Sequence, residues 1–234
     1  GGFFHGVFMK YLIFLAITLF SALLEIVFLS FTGVSNTIKF LKPMPKYKED
    51  KTNPYKTSQL ILAMVICACI SYAIQLSLYN NTTVINFVKL YGLLIIILSA
   101  AMIDLRKKII PNFLIVIGLV FRLGIYIYEI ITSEDIKSIV INDAIGFAIG
   151  FVLLALVSVI TKQGIGFGDA KLFGVIGLTS GSFCTYSTLF TSLLISAVIS
   201  IVLLISGKKG KKESIPFGPC IALGYVVVLF LTSY

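Results

Sequence analysis

The stretch "GIGFGDAKLFG", residues 164–174, places a carboxylate, Asp169, directly after three alternating glycines at the edge of an apolar segment. Glycine destabilises the interior of a helix, and a charged side chain is costly near lipid. Because both features are unfavourable in an ordinary membrane helix, some role that compensates for them is expected here.

The composition of the whole chain is that of a membrane protein. Of its 234 residues, 58% are hydrophobic and 12% are charged, and its mean hydropathy is +1.04. Soluble domains carry about 25% charged residues. Most of the chain must therefore face lipid or other buried helices, and the composition predicts an all-α, polytopic membrane helix bundle.

Apolar segments predict about eight transmembrane helices, since ~20 apolar residues cross the hydrocarbon core. They are residues 11–31, 59–79, 84–104, 111–131, 141–161, 169–180, 184–206 and 216–233. The sixth is short and is expected to span the membrane only in part. Met9 resembles a natural start, so residues 1–8 are expected to be a vector-derived remnant within an outer segment, 1–10. The rest, 11–234, is expected to be one transmembrane domain.

Basic residues alternate between the connections and so predict the orientation. Fifteen of the nineteen Lys and Arg residues lie in the first, third, fifth and seventh connections, at 39–57, 105–110, 161–171 and 207–214. Positive loops stay in the cytoplasm, so these connections are predicted to be cytoplasmic and both termini outside. The excess positive charge is then explained by topology and by contact with anionic membrane lipids, and no nucleic-acid partner is expected.

Two carboxylates stand out because two separate helices bring them to one depth. Asp104 ends the third predicted helix and Asp169 begins the sixth, both at the cytoplasmic edge. Two carboxylates held close cannot both ionise cheaply, so one retains a proton. Such a pair can activate a water and protonate a scissile amide, as in aspartic proteases, without a metal site. Gly166 and Gly168 would let a substrate strand approach closely.

Other interpretations stay open on the residues alone. The G-x-x-x-G spacing of Gly146 and Gly150 is a common packing device in membranes, and a non-catalytic scaffold would use it. Asp104, with basic neighbours, also fits an interfacial charge cluster. Ion-coupled transporters contain intramembrane acids and broken helices. Glu129 and Asp143 are expected to be helix-end or partner-paired acids.

The residues around both aspartates resemble the signature of the type IV prepilin leader peptidases, which are membrane aspartic proteases with a G-x-G-D motif. In this sequence the motif is GFGD, at 166–169. The family's other aspartate precedes a Pro-Asn or Pro-Asp pair, and Asp104 followed by Pro111 and Asn112 is similar. The resemblance implies that Asp104 and Asp169 act jointly as general base and general acid.

Two further segments carry the resemblance. "IPFGPCIALG", 215–224, is similar to the family's entry into its last helix, and "GVSNTIKFLKP", 33–43, resembles weakly the segment after its first helix. The residues implied to bind substrate or to shape the cleft are Gly166, Gly168, Lys171, Pro111, Asn112, Pro216, Gly218 and Pro219. For Lys171, contact with a substrate carbonyl and contact with lipid phosphate stay open.

The resemblance also implies a substrate and a location. The substrate would be a prepilin or pseudopilin, whose short basic leader is cut after Gly at the cytoplasmic face of the bacterial inner membrane; an archaeal preflagellin-type peptidase is a close alternative. Proteolysis would need no cofactor. Many members also N-methylate the product with S-adenosylmethionine. The loop at 39–57 lacks the two C-x-x-C pairs of those members, so this second activity is left open.

Overall fold

Every described element of the computed structural model is a helix, and the described residues are 83–132, 135–160, 166–205 and 216–231. The elements are α1 (Val84–Lys107), α2 (Asn112–Thr132), α3 (Ile136–Phe147), a π-helical stretch (Ala148–Val152), α4 (Leu153–Ile160), α5 (Phe167–Ile205) and α6 (Gly218–Leu231). The predicted all-α class is confirmed. The expected helices at 11–31 and 59–79, the loop at 39–57 and the segment 1–10 lie outside the described residues.

The described helices have the length and polarity of membrane spans. Those long and apolar enough to cross a membrane are Ile85–Leu105, Asn112–Thr132, Ile136–Ile160 and Phe167–Ile205, and Gly218–Leu231 is a shorter apolar helix. Large apolar side chains lie on their outer faces; Ile131 is 78% exposed and Ile160 is 77% exposed. Such faces are suited to lipid contact.

A tight turn folds the chain back after Asp104. Lys108 ends α1 in the left-handed conformation, with φ 51° and ψ 36°, and its N–H donates to the Asp104 carbonyl at 2.8 Å. Pro111 follows, and proline suits a position next to a helix start but not a helix interior. Because α2 then begins at Asn112, Asp104 and Asn112 lie at the same end of the bundle.

The third described segment starts earlier than the sequence predicted. α3, the π-helical stretch and α4 run continuously over Ile136–Ile160. Asp135 caps the start, and its Oδ1 accepts a hydrogen bond from the Ser138 N–H at 3.3 Å. This cap lets polar residues form the first turn. The predicted start at 141 was wrong because it assigned those residues to a loop on polarity alone.

α5 consists of two helices that meet at Gly181, whose φ of 78° and ψ of −178° are not helical. A straight helix would separate Phe173 and Thr185 by about 18 Å. Yet a Cβ placed on Gly150 would lie 2.4 Å from the Phe173 carbonyl oxygen and 3.1 Å from the Thr185 Cγ2. The chain therefore turns back at Gly181, inside the connection predicted at 179–182.

Asn142 of α3 stabilises this reversal. Its Oδ1 accepts hydrogen bonds from the Ser182 N–H at 3.2 Å and from the Ser182 hydroxyl at 2.6 Å. The amide thus supplies a partner for a backbone donor that starts the second helix of α5, where the first four N–H groups have no partner within the helix. A Cβ on Gly181 would lie 2.3 Å from Asn142 Nδ2, so glycine is needed for both the conformation and the contact.

Glycines hold α3 directly against the first half of α5. A Cβ on Gly146 would lie 2.6 Å from the Gly177 carbonyl oxygen, and a Cβ on Gly177 would lie 2.3 Å from the Gly146 carbonyl carbon. Backbones at this distance are the usual result of small residues at a membrane helix interface. The packing fixes the position of the helix that carries Asp169.

α6 packs antiparallel to α1. The Tyr225 hydroxyl donates to the Leu90 carbonyl at 3.0 Å, while Gly218 at the start of α6 lies against Asp104 near the end of α1. The end of α1, the turn into α2 and the starts of α5 and α6 therefore meet at one end of the bundle.

Candidate active site

Asp104 lies in the last turn of α1 and is buried, with 5% of its surface exposed. Its Oδ2 accepts a hydrogen bond from the Gly218 N–H at 2.7 Å. A Cβ on Gly218 would lie 2.9 Å from the Asp104 Cβ. The absence of a side chain at Gly218 therefore lets the start of α6 reach this carboxylate.

Asp169 lies in the first turn of α5 and is 8% exposed. Its N–H donates to the Gly166 carbonyl at 3.0 Å. A Cβ on Gly166 would lie 2.9 Å from Asp169 Oδ2, so this carboxylate turns back over the glycine. Gly168 lies against the turn between α1 and α2, where its Cβ would be 3.1 Å from the Ile110 Cβ.

The two aspartates are brought together. Their charges interact electrostatically, and the buried Cys220 thiol of α6 interacts with both of them. Two separate helices thus place one buried carboxylate each within electrostatic range of the other. Neighbouring carboxylates of this kind can share a proton and support general acid and base steps.

Lys171 and Asn112 join α5 to the start of α2 beside the aspartates. The Lys171 Nζ donates to Asn112 Oδ1 at 2.8 Å and lies 5.5 Å from the centre of the Phe167 ring. Pro111 is buried next to Asn112. The Lys171 ammonium therefore has a protein partner, which was not among the two contacts that sequence reasoning offered for it.

The segment from Pro216 to Pro219 forms the start of α6. The Phe217 ring stacks on the Phe173 ring with 6.4 Å between ring centres, which joins α6 to α5. Pro219 is the second residue of the helix, where an absent N–H loses no helical hydrogen bond. Pro216 and Pro219 are half-buried beside Gly218, so the segment lies at the same end of the bundle as both aspartates.

A comparison with protein families matches residues 90–205 to the type IV leader peptidase family. The chain belongs to the type IV leader peptidase family. The matched region contains both Asp104 and Asp169.

Curated relatives of this family member carry related names. A prepilin leader peptidase/N-methyltransferase of Bacillus subtilis is 30% identical over 174 residues, covering 74% of this chain and 64% of the relative. One of Stutzerimonas stutzeri is 29% identical over 136 residues, covering 57% and 46%. The type 4 prepilin-like proteins leader peptide-processing enzyme of Escherichia coli O78:H11 is 27% identical over 144 residues, covering 58% and 49%. The chain thus spans less than two thirds of the length of these relatives. No solved structure matches it significantly.

A second group of buried charged side chains joins three helices of this leader peptidase family member and is separate from the two aspartates. Arg122 of α2 contacts Asp143 of α3 and lies 2.9 Å from Glu129 Oε2. Lys89 of α1 bonds Glu129 Oε1 at 3.2 Å, and the Tyr126 hydroxyl donates to Asp143 Oδ2 at 2.8 Å. Arg122, Glu129 and Asp143 are 2%, 4% and 2% exposed. The network ties α1, α2 and α3 together.

Sequence reasoning found only part of this network. It treated Glu129 and Asp143 as paired or helix-end acids, and it did not use Arg122. The signal that could have found Arg122 was a single guanidinium inside a 21-residue apolar helix, because such a charge in a membrane needs a buried partner.

Within the described ranges, no three His, Cys, Asp or Glu side chains are grouped to hold a metal ion. The cysteine-free loop at 39–57 lies outside those ranges.

Proposed function

We propose that this protein is a membrane-embedded aspartic endopeptidase that uses Asp104 and Asp169. The observation that carries the proposal is the meeting of these two buried carboxylates from α1 and α5, inside the region that matches the leader peptidase family. Together they would activate a water and protonate the scissile amide.

The proposed substrate is a prepilin or pseudopilin, in line with the names of the relatives. Its basic leader would lie in the cytoplasm and its hydrophobic helix in the membrane, with cleavage after Gly. The positive-inside distribution of Lys and Arg supports a cytoplasmic site in the bacterial inner membrane. Lys171, Asn112, Pro111 and the segment from Pro216 to Pro219 would shape the cleft that receives the substrate.

The names of several relatives also include N-methyltransferase. S-adenosylmethionine would supply a methyl group for the new N-terminus. The described residues of the site provide two carboxylates, a lysine–asparagine pair and aromatic rings, none of which is an unpartnered group that calls for this cofactor.

The test is a cleavage assay in lipid nanodiscs with a peptide that has a basic leader, a Gly and a hydrophobic helix. Asp104→Asn and Asp169→Asn should each abolish cleavage, because each removes one member of the pair. The matched control is Asp135→Asn, which changes an exposed acid at a helix cap where Asn serves equally well. Cleavage retained in either site variant would remove that aspartate from the mechanism.

An ion-coupled transporter is the rival function, and the buried network around Arg122 is the observation that favours it. In that network, however, Glu129 and Asp143 both contact Arg122, so their charges are compensated. Proton flux in vesicles without cleavage of any leader peptide would favour the transporter. A panel of bacterial prepilin and archaeal preflagellin leader peptides would separate the two peptidase types.

A further inference from the structure

The two aspartates have unequal surroundings, and the difference lies at Gly218. The Gly218 N–H donates to Asp104 Oδ2 at 2.7 Å across 114 positions of sequence, and this hydrogen bond is buried. Gly218 is the first residue of α6. Its N–H is one of those that lack a partner within the helix and carry the partial positive charge of the helix start.

The hydrogen bond depends on the absence of a side chain at Gly218. A Cβ there would lie 2.9 Å from the Asp104 Cβ, 3.0 Å from Asp104 Oδ2 and 3.2 Å from the Ala101 Cα. No Cβ fits at these distances unless α6 or the carboxylate moves. The two elements can therefore approach this closely only with glycine at 218.

The described titratable groups that interact with Asp104 are Asp169 of α5, Lys108 in the turn after α1, and the Cys220 thiol of α6. The Asp169 carboxylate interacts with the backbone of Gly166 near the start of its own helix. Both carboxylates thus have a backbone donor. Asp104 has two, at Phe217 and Gly218, and the Lys108 ammonium group nearby, whereas Asp169 has the Gly166 backbone and the Asp104 carboxylate. An N–H donor and a cation both favour the ionised form of a carboxylate.

We propose that the Gly218 N–H makes Asp104 the ionised member of the pair, so that Asp104 is the general base and Asp169 carries the shared proton. This assignment rests on the proposed peptidase function and goes beyond it, because it gives each aspartate a separate role. Gly218 is then a positioning residue that acts on the reaction through Asp104.

The assignment defines a balanced hydrolysis. Asp104 takes a proton from water as the water oxygen bonds to the scissile carbonyl carbon, and Asp169 gives its proton to the carbonyl oxygen, which forms a gem-diol. Asp104 then passes its proton to the amide nitrogen as the C–N bond breaks. One gem-diol hydroxyl returns a proton to Asp169, which leaves a carboxylic acid, an amine and the starting protonation states.

The test replaces the Gly218 amide by an ester, through incorporation of glycolate at position 218 during cell-free synthesis into nanodiscs. The change removes the N–H and adds no Cβ. We expect the acid limb of the pH–rate profile for leader-peptide cleavage to move upward by about one pH unit, the effect of one hydrogen bond to a charged group. At a pH on that limb, the rate should fall by about tenfold.

The matched control is glycolate at Gly224, in the interior of the same helix, where the Cβ position faces the Ser192 side chain rather than an aspartate. This ester should lower thermal stability without moving either limb. As a second variant, Gly218→Ala keeps the N–H but crowds Asp104, and it should move the acid limb in the same direction.

The outcomes separate the two proposals. A basic limb that moves while the acid limb stays would make Asp104 the proton carrier and overturn the assignment. If neither limb moves with the ester at 218, the N–H does not bias the pair, and the assignment is again wrong. If the unmodified chain cleaves no leader peptide at any pH, the peptidase function itself fails, and the assignment fails with it.

Discussion

Two regions of the bundle bury carboxylates, and their surroundings differ. In the buried network, Arg122 contacts both Glu129 and Asp143. At the site, Asp104 and Asp169 interact with each other, and neither forms an ion pair with another described residue. Removing one partner of a buried ion pair strongly destabilises a protein. Two neighbouring buried carboxylates repel each other when both are ionised, so one of them tends to hold a proton that it can give up in a reaction. Burial is therefore common to both regions, and the charge of the neighbouring side chains is what distinguishes them.

The largest expected effect is on activity at the site. Asp104→Asn and Asp169→Asn should each lower the rate of leader-peptide cleavage by about 10²–10⁴-fold, the range for loss of a general acid or base. Thermal unfolding in detergent should stay close to the wild-type temperature, because Asn has nearly the size and shape of Asp and each change removes one carboxyl group of a buried pair. A clear drop in unfolding temperature would mean that these aspartates stabilise the fold, as the network acids do.

The converse result is expected for the network. Arg122→Met should lower the free energy of unfolding by about 3–5 kcal/mol, since it leaves the buried Asp143 carboxylate without its ion-pair partner and leaves Glu129 with Lys89 alone. Cleavage per folded molecule should change little, because the network lies far from the two aspartates. Lys89 of the network and Asp104 of the site are fifteen residues apart on α1, or about 22 Å.

A double-mutant cycle sharpens this prediction. Asp143→Asn alone should also destabilise the protein, and the cost of combining it with Arg122→Met should be well below the sum of the single costs. Additive costs would show that the two side chains do not stabilise the bundle through each other.

A smaller effect is expected where glycines pack α3 against α5. Gly177→Ala should cost about 1–3 kcal/mol, because the new Cβ would overlap the Gly146 backbone. Gly124→Ala is the matched control, since no atom lies within 4 Å of a Cβ there. Unfolding temperatures that are equal for both variants would contradict the close packing.

The smallest effect on stability is expected for the exposed hydrogen bond between Lys171 and Asn112. Lys171→Met removes the hydrogen bond to Asn112, which lies at the surface, so the stability loss should be about 0.5–1.5 kcal/mol. Asn112→Ala should cost a similar amount, and the double variant should cost no more than either change alone. A much larger effect of Lys171→Met on KM than of Asn112→Ala would instead indicate that Lys171 contacts the substrate.

The fold was largely predictable because a helix that crosses a membrane requires a long apolar run of residues, which is visible in the sequence. The segments at 84–104, 111–131, 169–180 and 184–206 agree with the described helices to within a few residues. The error at 141 arose because a capped helix start is as polar as a loop. The connection at 179–182 was recognised from its small polar residues, and Gly181 provides the turn.

The site was predictable only in outline. The spacing of positive loops put Asp104 and Asp169 at one membrane edge, and the motifs around them pointed to the same pair. The sequence could not reveal that the Gly218 N–H reaches Asp104, because the two residues are 114 positions apart. Nor did it pair Lys171 with Asn112, since such a bond depends on the register between α2 and α5.

The sequence by itself determined the all-helical membrane class, the helix positions and the pair of acids worth testing. These follow from hydropathy and charge, which act on each segment separately. Tertiary structure alone decided three other polar pairings: Arg122 with Asp143, Lys171 with Asn112, and the start of α6 with Asp104. The reason is that the packing of helices in a membrane sets which buried polar groups can pair. The apolar pattern of one helix does not identify the residue of another helix that its polar groups will contact.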